Sequence, residues 1–313
     1  MELTTIAKRN NAFAGLKNRI WRSKYLILMI LPAIAFYIIF CYVPMYGVLM
    51  AFKDFRPKLG IIGSPWNGVN NFIKVFEEPK FWDAFRNTLI IGSVKIVISF
   101  IAAIAIALLL NELRMIKTKK TIQTIVTFPH FLSWVVVAGF VFSLFAYNGA
   151  INSLVAAMGG ERTNFLADKY FFFGLVFASD IWKEAGWGSI IYLATMAGIP
   201  QDQYEAADID GATRLQKIWH ITLPGIKATA ILLLIMSVGG VLSAGFDQIL
   251  NLGNPLIRED VNIIDTYIYY HAIVGSDSAG VGTAIGLFKS VISFALVITV
   301  DRIAKACGER GII

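Results

Sequence analysis

An all-α integral membrane protein with six spanning helices is the fold class this sequence predicts, and three observations predict it. Hydrophobic residues are 57% of the 313 and charged residues 16%, against roughly 45–50% and about 25% in soluble proteins. The mean hydropathy is +0.65. The apolar residues gather in six blocks, and the gaps between them leave no room for a soluble domain. Together these exclude a disordered chain, a disulfide scaffold and a basic nucleic-acid binder. The net charge of +7 belongs instead to loops retained on the cytoplasmic side of a bilayer.

A helix needs about 20 mostly apolar residues to cross the ~30 Å hydrocarbon core. The qualifying blocks are residues 25–49, 88–111, 125–146, 171–198, 228–247 and 283–304. The basic run before the first (Lys8, Arg9, Lys17, Arg19, Arg22, Lys24) has the look of a signal peptide. The apolar block after it is too long for one and lacks an A-x-A-like exit, so it reads as the first span. Pro32, Pro44 and Pro129 blur the block boundaries. With the N-terminus inside, the inner segments hold 16 of the 28 Lys and Arg over about 75 residues, and the outer segments 9 over about 97. That density puts both termini of a multi-pass protein in the cytoplasm. The division is a cytoplasmic segment 1–24, a six-helix domain 25–305 with a loop at about 199–226, and a cytoplasmic tail 306–313. Cys41 and Cys307 are far apart and have no CxxC or histidine partner set, which indicates neither a disulfide framework nor a metal site.

The fourth gap differs from a plain connector. Pro200 and Asp202 suit a helix start, with Glu205 three residues after Asp202 as in a capping box. A helix of small residues then runs to Gly211, which can end or bend it. Leu215, Ile218, Trp219 and Ile221 come next at helical spacing, and Pro224 separates them from the next span. Ala206, Ala207 and Ala212 allow a partner's backbone to approach, while Glu205, Asp208 and Asp210 can meet basic groups. On spacing alone, this unit serves equally well as an interfacial cap on the bundle.

Glu205-Ala206-Ala207, Gly211 four residues after Ala207, and Ile221-x-Leu223-Pro224 resemble the "EAA---G---------I-LP" signature. That signature marks the permease subunits of binding-protein-dependent ABC importers. Flanking segments resemble the maltose-type, sugar-importing branch and especially its polysaccharide or complex-oligosaccharide permeases. They are Phe128-Pro129-His130-Phe131-Leu132-Ser133-Trp134-Val135-Val136, Ile181-Trp182-Lys183-Glu184-Ala185-Gly186-Trp187-Gly188 and Asp265-Thr266-Tyr267. The resemblance implies a six-helix ABC importer permease with a cytoplasmic coupling helix, in a bacterial-type cell membrane. It also implies that Glu205, Ala206, Ala207, Asp208, Gly211, Ala212, Leu223 and Pro224 meet a cytosolic ATP-binding subunit. The chain has no GxxxxGK[ST] phosphate loop, so ATP and Mg would be used by that separate subunit and no cofactor would bind here. Further implied partners are two copies of the ATP-binding subunit, an external solute-binding protein and a second, different permease chain in a heterodimer. The solute would be a carbohydrate, an oligosaccharide.

Ionisable residues inside spans are costly and usually face a protein interior or a water-filled cavity. Asp180, Lys183, Glu184 and Trp187 fall at spacings of three and four, hence on one helix face. Lys183 neutralised by Asp180 or Glu184 could line a solute path; a structural ion pair between helices, or snorkelling at the outer end, is equally open. Lys95 with Ser99 and Lys289 with Ser293 repeat the i,i+4 pattern on the second and sixth spans. Trp182, Trp187, Phe246, Asp247 and Gln248 have the side chains that sugar recognition needs at membrane depth, and Trp residues also belong to interfacial belts. The lysines of the spans invite an acidic oligosaccharide. His130, His220 and His271 are scattered, so neither a metal site nor a catalytic site is expected. The rival class is an ion-coupled secondary transporter; the internal repeats and paired broken helices of such folds are not evident, and it would leave the signature loop unexplained.

Overall fold

The computed structural model describes Trp21, residues 23–275 and residues 278–306. The expected terminal segments 1–24 and 306–313, with most of their basic residues and Cys307, lie almost wholly outside the described residues. In chain order, α1 (Lys24–Tyr37) runs on through a π-helical turn and a 3-10 stretch to Phe52. Then come α2 (Asn70–Glu77), α3 (Pro79–Asn111), α4 (Ile116–Thr127), α5 (Trp134–Phe145) and α6 (Ala150–Ala157). The second half holds α7 (Lys169–Met196), α8 (Gln201–Ile209), α9 (Arg214–Lys217), α10 (Leu223–Gly239), α11 (Phe246–Leu252), α12 (Ile264–Ile268) and α13 (Ala279–Ala306). No strand occurs among the described residues beyond one isolated bridge, Lys53 to Trp66.

Among the described residues five helical stretches are long and apolar enough to cross a membrane: Lys24–Phe52, Pro79–Asn111, Trp134–Ala157, Arg214–Gly239 and Ala279–Ala306. The remaining expected span, 171–198, is the 28-residue α7. It is long enough at about 1.5 Å per residue but carries Asp180, Lys183 and Glu184 near its middle.

The second expected span starts earlier, at Pro79, and two others are cut by a break in the helix. Block 125–146 is not one helix: α4 stops at Thr127, a 3-10 turn occupies Phe128–Phe131, and α5 starts at Trp134. Pro129 has no N–H to give to the helical ladder and sits in the first turn of the 3-10 stretch, where none is needed. Ser133 then caps α5, its hydroxyl accepting from the Val136 N–H. Block 228–247 also ends early, because α10 stops at Gly239 and a turn through Val241–Ser243 leads into α11. Adjacent glycines are poor helix formers. After the turn Ala244 and Gly245 adopt positive φ of 42° and 88°, so Phe246, Asp247 and Gln248 sit on α11 rather than at the end of a span.

α3 is the central column. It runs along α7 in the most extensive helix pair of the chain and contributes to all three apolar clusters. Ile91 packs with Phe172, Val176 and Ile249; Ala103 and Ala107 pack with Tyr192 and Ile226; Phe81 and Ala84 pack with Tyr267 and Ile285. Lipid tails are as apolar as leucine, so helix association here rests on close van der Waals fit and polar contacts. Gly186 of α7 shows how close that fit is. A Cβ there would stand 1.9 Å from the Val126 carbonyl oxygen, so only glycine lets α7 touch the end of α4. The Val241 carbonyl makes the same demand of Gly92 on α3. α1, by contrast, has no buried residue.

Replacing Gly186 by Val should therefore lower stability by about 3 kcal/mol through overpacking. Gly174→Ala on the same helix, where nothing lies within 4 Å, should leave stability unchanged or raise it by up to ~1 kcal/mol. Thermal unfolding in detergent reads both; a wild-type midpoint for Gly186→Val would overturn the packing argument.

Candidate functional site

Two regions draw together the residues that the sequence singles out: a braced loop at one end of the bundle and a polar cavity inside it.

The loop is a pair of short helices. α8 starts after Pro200, with Asp202 in its first turn and no side-chain cap. The expected Asp202–Glu205 capping box is therefore absent, because the proline takes the cap position and moves Asp202 inside the helix. Gly211 ends α8 with φ +74°, a conformation glycine adopts without strain. The N–H groups of Gly211 and Ala212 donate to the carbonyls of Asp208 (3.2 Å) and Ala207 (2.9 Å). The capping box belongs to α9 instead: the Thr213 N–H donates to Gln216 Oε1 at 2.7 Å and the Gln216 N–H returns a bond to the Thr213 hydroxyl. The Thr-x-x-Gln spacing is the sequence signal that marks it.

Two contacts tie α8 to the helical stretch after it. Lys217 Nζ lies 2.6 Å from Asp208 Oδ1, and the Tyr204 hydroxyl lies 2.9 Å from that of Thr222. Pro224 does not separate this unit from the span. Helix continues from Arg214 to Gly239 through a π-helical turn at Ile218–Thr222, which places Pro224 in the first turn of α10. Such a turn absorbs the carbonyl partner that proline's missing N–H leaves behind. Glu205, Ala206, Asp208, Gly211 and Pro224 are exposed, and Ala207, Ala212 and Leu223 are half-buried. Ile209, Leu215 and Trp219 present large apolar surface beside them, at 87%, 69% and 67% exposure.

The cavity, about 410 Å³, lies between α3, α7 and the turn after α10; Lys95, Ser99, Asp180, Glu184, Trp187 and Ser243 are among its lining residues. Asp180 does not pair with Lys183. It takes Lys95 from α3 at 2.7 Å and accepts a bond from Ser99 at 2.8 Å. Lys95 also donates to Gln248 Oε1 at 2.7 Å, and the fully buried Gln248 donates to the Val176 carbonyl and the Ser179 hydroxyl. Lys183 pairs with Glu184 at 2.8 Å and donates to the His130 carbonyl at 2.9 Å, inside the break between α4 and α5. The other oxygen of Glu184 meets His130 Nδ1 at 2.7 Å, and the His130 ring stacks on Trp187 with centroids 4.4 Å apart.

Of the residues expected on this path, Asp180, Glu184 and Trp187 line the cavity. Lys183 is buried behind them, and Gln248 acts through Lys95. Phe246 instead packs edge-on against Tyr269. Lys289 does not pair with Ser293; it binds both oxygens of Asp265, at 2.6 and 2.7 Å, joining α13 to α12. All three lysines of the spans are thus matched by carboxylates, which removes the electrostatic reason they gave for an acidic solute. Snorkelling is excluded for Asp180 and Lys183, each only 6% exposed. No group of three His, Cys, Asp or Glu able to hold a metal exists among the described residues.

Comparison with known proteins fits this architecture. The family described as "Binding-protein-dependent transport system inner membrane component" matches residues 95–309. The polygalacturonan/rhamnogalacturonan transport system permease protein YteP of Bacillus subtilis (strain 168) is 44% identical over 292 residues, 93% of this chain and 91% of the relative. A solved bacterial ABC transporter involved in the import of the acidic polysaccharide alginate contains a chain 36% identical to this one. It superimposes with a TM-score of 0.85 over 93% of this chain and 99% of its own. The alginate transporter in complex with alginate pentasaccharide-bound periplasmic protein gives 35% identity and a TM-score of 0.84, over 94% and 99%. The chain therefore belongs to the binding-protein-dependent inner membrane component family, and it is a multi-pass permease of an ABC importer rather than an enzyme.

Proposed function

We propose that this permease moves an oligosaccharide, delivered by an external solute-binding protein, through the cavity beside Lys95 and Asp180. The carrying observation is 44% identity across nearly the whole chain to a polygalacturonan/rhamnogalacturonan permease, supported by the likeness to the alginate importer. Both relatives handle acidic polysaccharides, so the solute class is an oligosaccharide bearing uronic acids. The chemistry of the lining agrees with a sugar. Trp187 offers an aromatic face for the apolar side of a pyranose ring, and Ser99, Asp180, Glu184 and Ser243 can exchange hydrogen bonds with hydroxyls. The cavity lysine is already neutralised, so selection for charge rests with the external protein.

On this reading α7 also crosses the membrane, as the fourth of six spans, both termini are cytoplasmic, and the α8–α9 unit faces the cytosol. The chain pairs with a different permease, and two cytosolic subunits bind ATP with Mg. Glu205, Ala206, Ala207, Asp208, Gly211 and Ala212 meet an ATP-binding subunit, with Leu223 and Pro224 leading into the span. Ion pair, hydroxyl contact and continuous helix make the loop and α10 one rigid lever, so closure of the ATP-binding subunits rotates α10 against α3 and α7. This is switching between two packings of rigid bodies.

Three measurements test these assignments. Gly211→Val, which forces a β-branched residue into positive φ, should lower sugar-stimulated ATP hydrolysis by the assembled importer at least ten-fold, an effect of about 1.4 kcal/mol or more. Solute binding by the external protein should be untouched. Wild-type hydrolysis would remove the loop from coupling. Asp180→Ala leaves the half-buried Lys95 without a counter-ion, for an expected loss of about 2–3 kcal/mol in thermal unfolding. The double variant Lys95→Met/Asp180→Met should regain most of that stability while vesicle uptake stays low. Full recovery of uptake would mean that these groups only hold helices together. Finally, cells should take up a labelled oligogalacturonide in preference to a neutral oligosaccharide of equal length; equal uptake would sink the uronate assignment.

A further inference from the structure

The helix α4 carries a charge pattern that solute transport does not use. Arg114, Lys117, Lys119 and Lys120 fall within seven residues, with no acidic side chain among them. Among the described residues no carboxylate pairs with any of the four. Glu112 and Arg114, just ahead of α4, line a cleft with Gln201, Tyr204 and Arg214, so the start of α4 lies at the same end of the bundle as the α8–α9 loop.

Along α4, Lys120, Gln123, Thr124 and Thr127 recur at spacings of three and four, which sets them on one helix face. That face is one wall of a groove of about 380 Å³, completed by Phe128, Phe131 and Ile190. From Lys120 to Phe128 the helix advances roughly 12 Å at 1.5 Å per residue. Over that distance the lining passes from an unpaired cation through an amide and hydroxyls to aromatic rings. Phe128 and Phe131 are 60% and 69% exposed, and Met115 and Ile116 beside the basic cluster are each 70% exposed. Basic residues at one end and apolar surface at the other match an amphiphile lying at a membrane boundary.

We propose that this groove binds one anionic phospholipid. Its phosphate meets Lys120 with Lys117 and Lys119 nearby, and one acyl chain lies along Phe128, Phe131 and Ile190. A zwitterionic lipid fills the apolar part but leaves the cations unmatched, and free phosphate leaves the aromatic surface bare. An apolar helix of a partner subunit would strand Lys120 against hydrocarbon. Phe131 stands edge-on to Trp187 with centroids 5.8 Å apart, so the lipid sits one aromatic contact from the solute cavity. The proposal rests on the cytoplasmic placement of the α8–α9 loop.

The test uses the assembled importer exchanged into equal amounts of phosphatidylglycerol and phosphatidylcholine, with retained lipids counted by native mass spectrometry. Wild type should retain phosphatidylglycerol preferentially. Lys117→Gln/Lys119→Gln/Lys120→Gln should lower the ratio of the two lipids about ten-fold, within reach of ~1 kcal/mol per lysine near an anionic surface. The corresponding triple Arg variant should keep the ratio, and an unchanged ratio in the Gln variant overturns the site. Gln123→Cys, with Cys41 and Cys307 replaced by Ser, separates the other possibilities. Maleimide labelling that is blocked even after delipidation means that a partner subunit fills the groove, which overturns the proposal. Labelling of intact cells by an impermeant maleimide overturns the cytoplasmic placement itself, an outcome distinct from an unchanged lipid ratio.

Discussion

Backbone groups freed by a helix break inside a bilayer find no water, so the protein must supply their partners. Two of the interruptions among the described residues, at Phe128–Ser133 and at Val241–Gly245, organise much of the interior. Lys183 reaches the carbonyl of His130 in the first. Gln248, just after the second, is held by Lys95 from α3 and anchors itself on α7 through Val176 and Ser179. A glycine of a long neighbouring helix also makes a close approach at each break: Gly186 on α7 meets the last turn of α4 just before the first, and Gly92 on α3 meets Val241 in the second. The first interruption thus has a side-chain partner for its backbone, the second is followed by the Lys95–Gln248 bond, and each has its own point of close approach.

The ion pairs that do this are unfavourable places to put charge. Removing two charges from water costs several kcal/mol each, and their attraction repays this only when the remaining hydrogen-bonding capacity is filled. The structure meets that condition closely: Asp180 receives Lys95 and Ser99, while Glu184 receives Lys183 and His130. What such networks give is register. Lys95–Asp180 fixes α3 against α7 at one height, and Lys289–Asp265 does the same for α13 and α12. Between α3 and α7 the same groups that hold the helices, Lys95, Ser99 and Asp180, also face the cavity.

At the loop end the organising feature is continuity. A π-helical turn before Pro224 lets helix run unbroken from Arg214 to Gly239, and the Asp208–Lys217 and Tyr204–Thr222 contacts lock α8 onto it. These contacts span both the Gly211 turn and the π-helical turn between α8 and α10. Beyond α10 the next irregularity is the turn at Val241–Gly245, which borders the cavity.

The sequence by itself determined the composition of the problem: a helical membrane protein, with blocks of the right length, a loop whose Glu205-Ala206-Ala207 and Gly211 carry the family signature, and the charged residues Asp180 and Glu184. These are local properties, set by hydrophobic run length and by residue spacing. Partners were decided only by tertiary structure. Asp180 pairs with a lysine 85 positions earlier rather than with its neighbour, because α3 and α7 lie side by side. Periodicity shows which face a residue occupies and says nothing of what is packed against that face. The same holds for the stacking of His130 on Trp187 and for the pairing of Lys289 with Asp265. The late start of one span and the early end of another had partial signals in Pro129 and Gly239-Gly240, but apolar side chains continue past both points. Hydropathy measures affinity for lipid, whereas the geometry of the break depends on which neighbour satisfies the backbone.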